Sequence, residues 1–224
     1  MAREPYQEAL ADLRDDVLAM GELVGERLEM ALDALETGDE VLARTVVEGD
    51  AEVNDLYLDL EDRCIDLFAL QQPVASDLRL VAASFKILTD LERIGDLASN
   101  LAGYAMTASE GLTPEVAIDD IGRDANALLE RSLEAYATGD AAACRTIAAA
   151  DDDIDTLCQH ASETVVRDLI ELEADDGLWG VEQLLDDVSR VLLIIRDLER
   201  VGDHAVNIAA RTLYMAENST DLIY

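Results

Sequence analysis

The chain has 224 residues, half of them apolar, with 16 basic and 50 acidic side chains for a formal net charge of −34. With only 3 Pro and 12 Gly it is neither disordered nor collagen-like, and its length suits one large domain or two of about 110 residues. A field of this sign repels phosphate backbones and anionic lipid, which excludes nucleic-acid binding and polybasic membrane docking.

Lys86 is the single lysine; every other cation is Arg. Abundant Asp and Glu with almost no Lys is the composition expected of a salt-adapted organism, where molar salt shortens the Debye length to about 3 Å and makes self-repulsion tolerable. Cys64, Cys144 and Cys158 form no CxxC pair, so neither a disulfide framework nor a thiolate zinc site is expected. The opening MAREPYQEAL has no apolar signal region, and the longest aliphatic run, Val191 to Ile195, falls far short of the roughly 20 residues that span a bilayer. A cytoplasmic protein is expected.

Long windows of Ala, Leu, Glu and Arg carry apolar residues at i, i+3, i+4 and i+7, so the fold class is all-α. In chain order, a first helix should end at Thr37-Gly38-Asp39 and a second at Gln72-Pro73, with Ser76 and Asp77 as cap candidates for the third. The third should end before Ser109-Glu110-Gly111 and Thr113-Pro114. A fourth then runs to Thr138-Gly139-Asp140, a fifth to Asp175-Asp176-Gly177, and a sixth follows.

The two halves are copies. ALETGDEVLARTVVEGDAEVNDL from Ala34 lies over AYATGDAAACRTIAAADDDIDTL from Ala135 at an offset of 101 residues, and DLERIGD from Asp90 over DLERVGD from Asp197 at an offset of 107. A unit of this length is too long for a solenoid repeat and reads as a duplicated three-helix bundle. The expected architecture is two tandem, sequence-related three-helix bundles, domains 1–110 and 111–224.

The repeats agree best at acidic residues. Glu92, Asp96 and Asn100 are spaced i, i+4, i+8, as are Glu199, Asp203 and Asn207, and each trio is expected to share one helix face. Val81, Phe85 and Leu88 lead into Glu92, and Val188, Leu192 and Ile195 into Glu199, so the acids extend an apolar stripe. Folding the second and third helices about Pro73 puts Asp50 level with Asp96, and Asn54 level with Glu92. Folding the fifth and sixth about Gly177 does the same for Asp151 with Asp203 and Asp155 with Glu199.

Carboxylates packed together and partly desolvated need a neutralising partner, so a metal ion is expected on Asp50, Asn54, Glu92, Asp96 and Asn100 in the first half and on Asp151, Asp155, Glu199, Asp203 and Asn207 in the second. With oxygen donors and only His160 and His204 in the chain, hard ions such as Mg²⁺, Mn²⁺, Ca²⁺ or iron are favoured over structural zinc. A ferritin-like di-iron site is set aside, because Gly95 and Gly202 stand where its ExxH ligands would be. Those two glycines, inside helices, imply close approach of a helix or ion. The competing reading is a salt-bridged surface, with Arg93 pairing Asp90 and Asp96, and Arg200 pairing Asp197 and Asp203. The cysteines read as small core residues, Trp179 as a cap on the longer second turn, and His204 as helix surface or rim.

The segment QQPVASDLRLVAASFKILTDLERIGDLASNLA from Gln71, with DLERVGDHAVNIAARTLYM from Asp197, resembles the PhoU family of phosphate-transport regulators, and the resemblance covers nearly the whole chain as two repeats. It implies multinuclear iron or zinc held by paired E(D)xxxD motifs. That places ligands at Asp50, Glu92 and Asp96, and at Asp151, Asp155, Glu199 and Asp203. Asn54 stands where the pattern has Asp, so the first cluster is expected to be the weaker or smaller.

The resemblance also implies a non-enzymatic, cytoplasmic negative regulator of phosphate uptake and signalling. It would contact the ATP-binding subunit of the phosphate ABC transporter and, in bacteria, a sensor histidine kinase. A homodimer is expected, with no nucleic-acid partner and no insertion into a membrane. Two alternatives remain open at this point: a carboxylate-bridged metal-dependent phosphohydrolase, which would lack an evident nucleophile or phosphate loop, and a metal-free helical adaptor.

Overall fold

The computed structural model describes residues 3–70, 74–107, 116–172 and 178–223. Among these residues there are six helices and no strand: α1 (Arg3–Thr37), α2 (Glu40–Leu70), α3 (Ala75–Thr107), α4 (Ile118–Thr138), α5 (Ala141–Leu172) and α6 (Leu178–Glu217). The predicted turns at Gln72-Pro73, at Ser109 to Pro114 and at Asp175 to Gly177 lie outside the described residues, as do the division between 110 and 111 and the side chain of Trp179.

The two short turns inside the described chain share one design. Gly38 and Gly139 take left-handed φ of 69° and 68°, a conformation that costs other residues about 1–2 kcal/mol. The next residue then caps the following helix: Asp39 Oδ1 accepts from the N–H groups of Val41 and Leu42, and Asp140 Oδ1 from those of Ala142 and Ala143. At α3 the capping expectation is corrected. The helix already begins at Ala75, with Leu78 N–H bonded to Val74 O, so Ser76 and Asp77 lie within its first turn.

The helices form two three-helix bundles. α2 packs on α1 and α3, α5 packs on α4 and α6, and the bundles join through α3 on α6 and α1 on α4. Both inter-bundle pairs are antiparallel. Asp90 of α3 meets His204 and Asn207 while Tyr104, further along α3, meets the earlier Asp197. Leu133 lies over Gly21 and Leu32 over Gly122, each against the other helix. The last two contacts are equivalents at the repeat offset, so an approximate twofold axis relates the bundles.

Burial follows from this arrangement. Outer helices need one narrow stripe, and α2 buries Val46, Val53, Leu60 and Cys64 where α5 buries their repeat equivalents Ile147, Ile154, Ala161 and Val165. α3 faces its own bundle and the other one, so it is buried over a wide arc that includes Ile87, Leu88, Leu91, Ile94, Leu97 and Leu101. One continuous core runs through both bundles. No helix among the described residues is long and apolar enough to cross a membrane.

Candidate metal centre

Each hairpin brings its acidic residues face to face. In the first half, Asp50 and Asn54 on α2 stand against Glu92 and Asp96 on α3, all four half-buried. Burial raises the Asp50 carboxyl above its ordinary range, and the facing charge of Asp96 raises it further, while the Asn54 amide, donating to Asp50 Oδ2 at 2.9 Å, works the other way. Glu92 is raised by burial, then by Asp96, and is partly relieved by Arg93. Arg93 reaches both Glu92 (3.5 Å) and Asp96 (3.4 Å); the expected pairing with Asp90 gives way to these.

In the second half no amide or guanidinium is bonded to the facing carboxylates among the described residues. Asp151 is half-buried on α5, its Oδ1 is shut off from solvent, and that oxygen has no hydrogen-bond partner. Burial first, then the charges of Asp155, Asp203, Asp152 and Glu199, push its carboxyl up to about 6. Glu199 and Asp203 are raised by the same two causes, burial and then Asp155, and Asp203 is partly relieved by the charges of His204 and Arg200. Asp155, Glu199 and Asp203 themselves lie on the exposed margin of the hairpin. The apolar stripe therefore delivers Glu92 half-buried but leaves Glu199 in solvent. Arg200 turns to Asp197, 3.8 Å away.

The helical glycines mark the close approach of a helix. A Cβ on Gly95 would meet Val53 Cγ1 at 3.0 Å, and one on Gly202 would meet Asp151 Oδ1 at 2.8 Å. Gly202 is thus the space into which the unpartnered oxygen fits.

Asn100 and Asn207 do not share their neighbours' role. Eight residues on from Glu92 or Glu199, a side chain has rotated by about 80° around the helix. Asn100 is exposed on α3, and Asn207 donates to Asp90 Oδ1 at 3.3 Å across the bundle junction.

That junction was not legible in the sequence. His204 Nδ1 lies 2.9 Å from Asp90 Oδ1, so it belongs to the contact between bundles and not to a helix surface. Asp197, the repeat equivalent of Asp90, is fully buried and accepts from Tyr104 Oη at 3.1 Å and from Arg196 at 2.9 Å. The first residue of each DLERxGD segment thus joins the bundles while the following Glu and Asp face the hairpin. All three cysteines are buried and free. Cys158 lies near the second cluster, and burial followed by Glu199, Asp155 and Asp151 pushes its thiol up to about 12.

Among the described residues no three His, Cys, Asp or Glu side chains are drawn together tightly enough to hold a metal ion as they stand. The chemistry nevertheless fits a hard cation: oxygen donors only, like charges facing one another, and a buried carboxylate oxygen with nothing bound to it.

A family model, the PhoU domain, matches residues 17–105 and 118–212. The phosphate-specific transport system accessory protein PhoU homolog of Pseudomonas aeruginosa is 33% identical over 219 residues, covering 96% of this chain and 87% of the relative. The crystal structure of PhoU from Pseudomonas aeruginosa superposes with a TM-score of 0.85 at 33% identity, covering 96% of this chain and 100% of that one. That of the phosphate transport system regulatory protein PhoU from Streptococcus pneumoniae gives 0.86 at 26% identity, covering 96% and 98%.

Proposed function

The chain belongs to the PhoU family, and on that premise we propose that it is a negative regulator of phosphate uptake and phosphate signalling. It works in the cytoplasm through contact with the ATP-binding subunit of a phosphate ABC transporter, and with a sensor histidine kinase where one exists. Metal ions held by the facing carboxylates set its state.

The observation that carries the metal reading is the buried, unpartnered Oδ1 of Asp151 beneath Gly202, in a cluster whose carboxyls are raised by one another. Asp151, Asp155, Glu199 and Asp203 would hold an ion in the second half, and Asp50, Glu92 and Asp96, beside Asn54, in the first. A bound ion would supply positive charge that offsets the repulsion between the two helices of each hairpin. The chain's own residues tune that need. Asn54 already donates to Asp50 and Arg93 already pairs with Glu92 and Asp96, so the second site is the tighter of the two. The donor set favours Mg²⁺, Mn²⁺, Ca²⁺ or iron, with zinc the alternative that the family resemblance adds.

Regulation is favoured over catalysis by the relatives, which are named as an accessory protein and a regulatory protein of phosphate transport.

Two measurements test the proposal. Elemental analysis of protein purified in molar KCl without affinity nickel should find about one equivalent of metal or more, and Asp203→Ala should lower it. In cells lacking the gene, phosphate uptake under phosphate-replete conditions should fall when the wild-type chain is restored but not when Asp151→Ala/Asp203→Ala is. Metal below about 0.1 equivalent would favour a metal-free adaptor, and full repression by the double variant would separate regulation from the carboxylates.

A further inference from the structure

On the other inter-bundle junction, α1 and α4 meet through the reciprocal contacts of Leu133 on Gly21 and Leu32 on Gly122. Along this line the twofold relationship would produce two equivalent grooves, and the sequence has made them different. The larger, of about 470 Å³, is built on Leu18, Leu129, Leu133 and Ala137. Its counterpart, about 280 Å³, has Asp119 where the first has Leu18, Glu36 where it has Ala137, and Arg123 where it has Glu22. One groove has therefore kept an apolar floor while its copy has become polar and mixed in charge.

The rim of the apolar groove is of one sign. Glu22, Glu26 and Glu29 from α1 and Glu130 and Glu134 from α4 line it, with no Lys or Arg among the lining residues. At its centre Gly25 faces open space, with no atom within 4 Å of where a Cβ would stand. Across from it the repeat equivalent of Gly25, Asn126, holds a buried Oδ1 with no hydrogen-bond partner. The groove runs from Leu18 to Glu29, about 16 Å at 1.5 Å per residue, the length of a three-turn helix.

We infer that the α1–α4 groove docks a basic amphipathic helix of a partner protein, its apolar face on Leu18 and Leu133 and its cations against the glutamate rim. Charge decides between occupants. A second copy, at −34 with 16 cations in all, would set an acidic surface against an acidic rim, and an anionic lipid surface meets the same repulsion. A helix rich in Arg or Lys on one side and Leu on the other satisfies both floor and rim. In molar salt the rim acts only at contact distance, so the apolar floor supplies affinity and the glutamates supply selection. None of the carboxylates proposed to hold metal lines this groove, and docking here does not depend on them.

Fluorescence anisotropy in 1 M KCl tests this with a labelled 14-residue Leu/Arg peptide in helical order, beside a scramble of the same composition. The ordered peptide should bind at least tenfold tighter than the scramble. Gly25→Leu, which fills the open centre with a better helix former, should weaken it at least tenfold, and Glu22→Arg, which copies the residue of the polar groove, at least fivefold. Leu58→Ser, on the outer face of α2, should change nothing. Equal binding of ordered and scrambled peptides, binding untouched by both groove variants, or equal weakening by Leu58→Ser would each overturn the inference. So would a wild-type dimer that Gly25→Leu converts to monomer, since the occupant would then be a second copy.

Discussion

Replacing Asp151 by Asn separates the effect of its charge from that of its shape. The amide keeps an oxygen for the space beneath Gly202 and mimics the protonated carboxyl, so the comparison reads the charge alone. In the folded chain this carboxyl titrates at about 6 and in the unfolded chain near 3.8, so between those values the folded state holds more protons. Stability associated with the group is therefore fully present below pH 3.8 and lost as pH rises through about 6. The difference in titration corresponds to roughly 3 kcal/mol, and solvent screening of a half-buried group reduces it to about 1–2 kcal/mol. In EDTA and 1 M KCl, Asp151→Asn should match the wild type at pH 4 and melt about 2–8 °C higher at pH 8. Replacing the EDTA by excess Mn²⁺ at pH 8 should reverse the order, because only the wild type gains a neutralising ion, and its apparent metal affinity should rise with pH through 6. Differential scanning calorimetry across that grid checks all three. An Asn variant less stable than wild type by the same amount at pH 4 and pH 8 would refute the reasoning, since packing rather than charge would then govern the residue.

Gly202→Ala gains helix propensity of about 1 kcal/mol, but its Cβ must displace the flexible Asp151 carboxylate, 2.8 Å away. Melting should change little while metal affinity measured by titration calorimetry falls about tenfold. Asp90→Ala removes the acceptor shared by His204 and Asn207 at the bundle junction and should cost about 1–2 kcal/mol in urea denaturation at pH 7. Asp197→Ala deletes a fully buried side chain and leaves Tyr104 Oη without its acceptor; a loss of about 2 kcal/mol, or roughly 4–8 °C in Tm, is expected.

Most of the fold was legible because duplication doubles each signal. The Thr-Gly-Asp punctuation recurs at the repeat offset, and both copies place a left-handed glycine before a capping aspartate. Equal rise along two antiparallel helices makes level matching a matter of counting, which is why Asp151 faces Asp203 and Asp50 faces Asp96. What counting misses is rotation and contact between copies. Asn207 drifts around α6 toward α3, and His204 and Asp197 take their surroundings from the other bundle. No periodicity within one half distinguishes Asp197, fully buried, from the exposed acids around it, because what buries it is the second copy of the same fold.

The shared core has a consequence for how such a chain arises. The faces through which α1 and α3 meet α4 and α6 are related by the internal repeat, so an ancestral half-length peptide with either sequence would expose a broad greasy side and find its complement in its twin. Joining two such peptides head to tail replaces a concentration-dependent encounter by a tethered one, and thereafter each side is free to mutate independently. Leu97 and its repeat equivalent His204, which bonds Asp90, and Gly25 and its repeat equivalent Asn126 are positions at which the two copies now differ.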